Sequence, residues 1–271
     1  MIASNLSLHD LFSFDVEPKA RLRQNFESLF QIYEQRLQTH TEALLKKAEV
    51  NSLDIYEELF ALFLAKLLNF LRNPYSVPKM LDTFRDIANH RPTDPKQDRL
   101  LELVLNGRKP HQAALCKRLG LSDIQYQQWL ATLFMMLSEL SSGQETLFDS
   151  LVRSLFTDKK HAVGVMISMY TNEKCLLSDR SFSTSLQHPH ADGLDFNLRY
   201  NAFIRYVFAN RTGLLPQNTR PDLIALSKTL EQRVYVSYCV DDMSQLRNFN
   251  MNVINQSHSF VYCAAKAGIA F

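Results

Sequence analysis

Glycine is scarce in this chain, which has 7 glycines in 271 residues and none before Gly107. Tight turns with positive φ angles usually need glycine, so this scarcity disfavours an architecture rich in β-hairpins and favours helices. The sequence contains neither GxGxxG nor GxxxxGK[ST], the glycine-rich loops that hold phosphate groups in dinucleotide-binding and P-loop proteins. Both of these nucleotide-binding classes are therefore excluded.

Cysteine and long apolar runs are also sparse. The apolar run Leu59–Leu71 is interrupted by Lys66 and is shorter than the roughly 20 residues of a membrane-spanning helix. The N-terminus has no basic region followed by an apolar stretch, so we expect no secretory signal. The cysteines form no CxxC pair, which disfavours a zinc ribbon or a disulfide scaffold; they are Cys116, Cys175, Cys239 and Cys263. The sequence thus predicts a cytoplasmic protein without a membrane partner.

Charge of either sign is not in excess. Lys and Arg number 30 against 28 for Asp and Glu, giving a net charge of +2. A polybasic nucleic-acid coat or an acidic tail is therefore excluded as the main device of the protein. Any recognition of nucleic acid must come from a local cluster of charge.

Helical periodicity dominates the first part of the chain. Within residues 19–49, apolar side chains recur at three- and four-residue steps, and Leu59–Leu71 is apolar nearly all round. The segment 89–96 carries two prolines and marks a boundary. We therefore predict a helical domain over residues 1–92 and a central helical segment over residues 93–157.

The character changes after Asp158. The segments VGVMISMY, RVYVSYCV and HSFVYC are short, β-branched and aromatic, which favours strands. Between them, Asp195–Asn210 and Pro221–Gln232 resemble helices. We predict a mainly α fold with a helix-turn-helix-like hairpin, in which residues 158–271 are either α+β or helical.

Residues 107–134, GRKPHQAALCKRLGLSDIQYQQWLATLF, carry the strongest local signal. Two helices joined by a tight turn that often contains glycine form a helix-turn-helix, and Gly120 would supply the turn. Ser122 is placed to cap the second helix. Apolar residues fall where the motif buries its side chains, and we expect Trp129 to be buried among them.

The words GRKPHQAALCKRLGLSDIQYQQWL resemble the helix-turn-helix of region 3 in flagellar-type and general sigma factors. There a GR-P step leads into a helix, followed by LG-S and an acidic helix carrying a tyrosine. Cys116 stands where alanine is usual, and nothing in the N-terminal 90 residues resembles the promoter-melting region of that family. The resemblance implies a DNA-binding module, not a sigma factor.

If this module binds a duplex, its basic residues would contact phosphates and its glutamines would read base edges. The second helix, Asp123–Leu137, contains neither Lys nor Arg, so a helical hairpin packed inside a bundle stays open as the alternative. The candidate nucleic-acid-binding residues are Arg108, Lys109, Lys117, Arg118, Gln125, Gln127 and Gln128.

Two acidic or histidine-rich clusters could hold a metal ion. His188, His190 and Asp192 form an HxHxD pattern that resembles the metal signature of metallo-β-lactamase-fold hydrolases, although Gly193 stands where a third histidine is needed. A polar surface loop is the alternative. Asp241 and Asp242 follow a strand-like run and fit either a Mg²⁺ site or a turn.

These observations leave three hypotheses. The first is a nucleic-acid-associated, transcription-related regulatory protein that contacts DNA through the central helix-turn-helix. The second is a non-catalytic helical protein-protein interaction module, such as an adaptor, a secretion-associated protein or an effector. The sequence is also compatible with a homo-oligomer. The third is a metal-dependent enzyme that uses the loop His188–Asp195. The sequence favours a protein without catalysis and without a cofactor.

Overall fold

The computed structural model describes residues 11–17, 22–109, 111–139, 145–216, 218–230 and 233–270. The helices are α1 (Glu27–Glu34), α2 (Leu37–Glu49), α3 (Tyr56–Leu71), α4 (Val77–Phe84), α5 (Pro95–Asn106), α6 (Gln112–Leu119), α7 (Asp123–Leu137), α8 (Leu147–Thr157), α9 (Pro221–Thr229) and α10 (Met243–Gln256). The strands are β1 (Ser13–Glu17), β2 (Leu22–Asn25), β3 (His161–Met169), β4 (Leu177–Ser178), β5 (Ser183–His188), β6 (Ala191–Arg199), β7 (Ala202–Asn210), β8 (Val234–Val240) and β9 (Val261–Tyr262).

The prediction of a mainly α fold is wrong, because a five-stranded sheet follows the helices and makes the fold α+β. Strands were correctly expected in VGVMISMY, which covers most of β3, and in RVYVSYCV, which contains β8. The error lies in Asp195–Asn210, which forms most of the antiparallel hairpin β6–β7 instead of a helix. This hairpin turns at residues 200–201 without a glycine, so the scarcity of glycine did not exclude it.

The N-terminal region also differs from its predicted helix. Helical periodicity suggested a helix from residue 19, but β1 and β2 form an antiparallel pair and α1 begins only at Glu27. The helix predicted to begin at Pro221 is confirmed as α9, where proline occupies the first turn and loses no intrahelical hydrogen bond.

Two compact units divide the chain. Unit 1 comprises residues 1–35 and 68–150, and unit 2 comprises residues 36–67 and 151–271. The division of the sequence into 1–92, 93–157 and 158–271 stays a prediction about segments that could fold separately.

In unit 1 the core is built on α7. Trp129 is fully buried, as expected, and its indole Nε1 donates a hydrogen bond of 2.7 Å to the carbonyl oxygen of Leu71. Tyr126 is also fully buried, and its hydroxyl donates to the carbonyl oxygen of Leu11 over 2.6 Å. The ring of Phe12 packs edge-on against Trp129 with centroids 5.3 Å apart. Because each buried polar atom has a partner, these aromatic side chains are buried without an unsatisfied donor.

In unit 2 the strands lie in the order β5-β6-β7-β3-β8. Neighbouring strands are antiparallel except β3 and β8, which are parallel. On one face of the sheet, Phe63 of α3 contacts Tyr206 and Phe208 with ring centroids 4.8 and 5.1 Å apart. On the other face, Phe249 of α10 stacks on Phe203 at 4.2 Å. Alternate residues of β7 thus pack against helices on opposite faces.

The two edges of this sheet differ. At β5, the side-chain amide of Gln256 accepts a hydrogen bond from the backbone N–H of Thr184 and donates one to its carbonyl oxygen, over 2.8 and 2.7 Å. Gln256 therefore closes part of this edge as a neighbouring strand would. At β8, no hydrogen bond from the rest of the described chain reaches the backbone on the side away from β3.

Within the described residues, no helix is both long enough and apolar enough to cross a membrane.

Replacing Trp129 by Ala should lower the free energy of unfolding by about 3–5 kcal/mol, because the substitution leaves a cavity and an unpaired carbonyl oxygen. Chemical denaturation measures the change. Ile124→Ala is the matched control, since Ile124 lies on the same helix and is 67% exposed; it should be nearly neutral. A wild-type fluorescence maximum typical of water-exposed indole would contradict the burial of Trp129.

Candidate functional site

In unit 1 the helices α6 and α7 are joined by a tight turn. Gly120 ends α6 in the left-handed conformation, with φ at 67°, and the N–H of Leu121 donates to the carbonyl oxygen of Cys116 over 3.0 Å. Ser122 then begins α7 with a capping box, in which its hydroxyl accepts from the N–H of Gln125 and its own N–H donates to the Gln125 side chain. This is the turn that the sequence predicts. The resemblance to sigma-factor region 3 stays a prediction.

The predicted phosphate-binding residues divide into two groups. Arg108, Lys117 and Arg118 are exposed. Lys109 is only 9% exposed, and its ammonium donates to the carbonyl oxygens of Leu105 and Gly107 at the end of α5. Burial lowers the pKa of Lys109. In this position the ammonium of Lys109 binds the last carbonyl groups of a helix, so it is not available to contact a phosphate of DNA.

The predicted base-reading residues lie at the start of α7. Gln125 is engaged in the capping box, and Gln127 and Gln128 are half-buried. Nine of the fifteen side chains of α7 are buried, including every one from Trp129 to Phe134. Consequently the exposed surface of this helix lies mainly in its first two turns, where Asp123 contributes a negative charge.

The HxHxD segment forms the turn between β5 and β6. His188 and His190 are exposed, with ring centroids 5.8 Å apart, and the backbone N–H of His190 donates to Nδ1 of His188. In the described part of the chain, no three His, Cys, Asp or Glu side chains lie close enough to hold a metal ion. The structure therefore does not complete a ligand set around His188, His190 and Asp192.

Asp241 and Asp242 connect β8 to α10 through local hydrogen bonds. The carboxylate of Asp241 accepts from the backbone N–H and the hydroxyl of Thr171, each over 2.8 Å. The carboxylate of Asp242 accepts from the N–H groups of Ser244 and Gln245, which caps α10. Both side chains therefore act as turn and cap residues.

A cavity of about 830 Å³ lies in unit 1 beside Tyr33, Thr146 and Asp149. The hydroxyl of Thr146 donates to the carboxylate of Asp149 over 2.8 Å, and the Tyr33 hydroxyl donates to the same carboxylate over 3.2 Å. Burial raises the pKa of Tyr33, so its hydroxyl stays protonated and is unsuited to act as a base. The lining residues include no His, Cys or Lys.

The most unusual surface of unit 2 consists of α9 and β8, which follow each other in the chain. No residue of α9 is buried, and its apolar side chains Leu223 and Leu226 are 49% and 56% exposed. On β8, Tyr235 and Val240 are 62% and 65% exposed. We call the combination of α9 (221–229) and β8 (234–240) the β8 edge surface. Exposed apolar side chains are thus concentrated in this part of the chain, and clusters of exposed apolar side chains mark interaction sites.

The sequence showed the strand β8 but not its position at an edge. Its neighbour β3 lies far back in the chain, and pairing between such distant segments leaves no local signal.

Comparisons with protein-family models, with curated proteins and with solved structures find no match for this chain.

Replacing Gly120 by Ala should lower the free energy of unfolding by about 1 kcal/mol, because an L side chain is disfavoured at a positive φ angle. No atom lies within 4 Å of the added Cβ, so the effect should be purely conformational. Gly164→Ala is the matched control: its Cβ would make an ordinary 3.8 Å contact with Val207. Equal unfolding midpoints for Gly120→Ala and wild type would contradict the turn geometry.

Proposed function

We propose that this protein is a non-catalytic interaction protein that assembles through its β8 edge surface, with a second copy of the chain as the partner. The observation that carries the proposal is the contrast between the two sheet edges. Gln256 closes β5 in part, whereas β8 presents an apolar strand with no partner on its outer side in the described chain. The proposal includes a cytoplasmic location, where the four free cysteines would stay reduced.

The composition of β8 supports assembly. Its sequence VYVSYCV contains no charged residue and no proline, the residues by which natural proteins blunt an exposed edge. A strand with unpaired N–H and C=O groups is a template for another strand, and backbone hydrogen bonds then supply affinity. Such an edge would promote unspecific aggregation if it had no regular partner.

The register of β8 favours a second copy over an unrelated strand. In an antiparallel pair centred on Ser237, Val234 faces Val240 of the partner subunit and Tyr235 faces Cys239 of the partner subunit. Every facing pair then combines apolar or small side chains. Because the two-fold axis makes each contact occur twice, one self-complementary strand is enough to form a closed dimer.

Charge adds to this complementarity. Arg233 and Asp241 flank β8, each four residues from Ser237. The same antiparallel pair therefore places opposite charges at both ends of the paired strands, while the carboxylate of Asp241 keeps its hydrogen bonds to Thr171. A parallel pair would instead place like charges together, which disfavours that alternative.

The full chain should have twice its monomer mass in light scattering, and Tyr235→Lys with Val240→Lys should raise the dimer dissociation constant at least about tenfold. Both side chains are exposed, so the lysines should leave the fold intact while placing like charges along the shared edge. Ile32→Lys, at a side chain that is 67% exposed in unit 1, is the matched control and should remain dimeric.

A monomeric wild-type protein at high concentration would overturn this proposal. A dimer that persists unchanged in the double lysine variant would move the interface elsewhere and overturn it equally.

A second candidate function is binding of duplex DNA by the helix-turn-helix. The specific observation in its favour is that the turn is formed with a left-handed glycine and that Arg108 before α6 and Lys117 and Arg118 at its end are exposed. In the docking of this motif, the first helix crosses the DNA backbone and the first residues of the second helix reach the base edges. The exposed first two turns of α7 meet that requirement.

The substitution Lys117→Ala should weaken binding to all duplexes alike. It should also reduce the slope of log binding constant against log salt concentration by about 0.9, because one phosphate contact is lost. Lys109→Met should leave that slope unchanged, because its ammonium binds carbonyl oxygens of the protein. Titration of mixed duplexes at two salt concentrations measures both. Absence of salt-sensitive binding, or binding unchanged in the triple alanine variant of Arg108, Lys117 and Arg118, would remove this candidate.

A further inference from the structure

A second cavity, of about 470 Å³, lies in unit 2 where three separate segments meet. The first is the turn 158–160 between α8 and β3, the second is 210–212 after β7, and the third is the end of α9. Cavities of this size hold small ligands. The lining residues are Asp158, Lys159, Lys160, Asn210, Arg211, Thr212, Ser227 and Lys228.

Positive charge dominates this cavity. Four of its side chains are cationic and only Asp158 is anionic. Asp158 is already engaged, since it accepts the N–H of Lys160 over 2.9 Å and lies 3.8 Å from Nδ1 of His161. Among the described residues, no carboxylate forms an ion pair with Lys159, Lys160 or Lys228. The cavity therefore gathers like charges whose repulsion a bound anion would relieve.

The framework of the cavity is fixed by hydrogen bonds. Arg211 donates from Nε to the carbonyl oxygen of His161 and from Nη1 to that of Leu230, over 2.9 and 3.0 Å. The side-chain oxygen of Asn210 accepts from the N–H groups of Thr212 and Gly213, each over 3.1 Å. The three segments are thus held together before any ligand arrives, which lowers the ordering cost of binding.

The histidine turn supports the same wall. The N–H of Asn210 donates to the carbonyl oxygen of His190 over 2.7 Å. A Cβ on Gly213 would clash with the ring of His190, so the backbone of the turn packs directly on this imidazole. The HxHxD segment therefore has a structural role beside the cavity.

We infer that this cavity binds a small ligand that carries two adjacent phosphate groups. Three lysines act as point charges and the arginine adds fixed charge, which is the donor set that phosphate oxygens prefer. The surplus of positive charge matches a diphosphate better than a single carboxylate. None of the lining side chains is aromatic, so recognition rests on the phosphates and not on stacking of a base.

Calorimetric titration of the full chain with inorganic pyrophosphate tests the inference. We expect one site per chain and an affinity that falls at least about tenfold in the double variant Lys159→Glu, Lys228→Glu, since contacts to two charged donors are lost. Both side chains are exposed, and circular dichroism checks that the variant folds. Lys96→Glu, at an exposed lysine of unit 1, is the matched control and should bind like wild type.

Further titrations distinguish binding of a diphosphate from binding of other ligands that carry negative charge. The double variant Lys159→Arg, Lys228→Arg should retain binding, and sulfate should compete only weakly. Tighter binding of ADP than of pyrophosphate would show that a nucleoside adds contacts and would overturn recognition by phosphates alone. The small-ligand site would be overturned if pyrophosphate did not bind, or if it bound equally well to the charge-reversed variant. It would also be overturned if the wild-type protein bound only duplex DNA and the charge-reversed variant lost that binding.

Discussion

Backbone hydrogen bonding at the edges of the five-stranded sheet is the constraint on which this account depends. Each strand carries polar groups on both sides, and a buried or apolar strand must find partners for them. At β5 the side chain of Gln256 supplies such partners for Thr184. At β8 the described chain supplies them on one side only, while Tyr235 and Val240 remain exposed. The proposed assembly with a second copy would give these backbone groups hydrogen-bond partners and would cover apolar side chains at the same time.

In unit 1 the helix that could bind DNA is also the helix on which the core is built. Helix α7 holds the core together through Tyr126 and Trp129, whose polar atoms bond to carbonyl oxygens of distant segments. A helix used in this way has little surface left for a ligand, so its first two turns alone could meet DNA. The exposed cations of the neighbouring helix, Lys117 and Arg118, do not change that limit. We therefore propose self-assembly as the primary function and DNA binding as the second candidate.

Local chemistry was predictable from the sequence, whereas long-range pairing was not. The left-handed Gly120, the cap at Ser122 and the burial of Trp129 follow from rules that span a few residues. The hairpin β6–β7 could not be told from a helix because its turn contains no glycine. The basic cavity could not be predicted because its lysines come from segments that are distant in the sequence. The orientation of Lys109 could not be predicted either. It belongs to a basic run, but its ammonium donates hydrogen bonds to carbonyl oxygens at the end of a helix of the same chain.

Amide hydrogen exchange along β8 at increasing protein concentration tests whether this strand pairs with a second copy of the chain. If it does, amides of Val234–Val240 on the side away from β3 should exchange more slowly as the concentration rises, because the pairing protects them. Amides in the middle of β3, which has a strand on both sides, should be protected throughout and serve as the internal reference. Exchange along β8 that is independent of concentration would contradict the account.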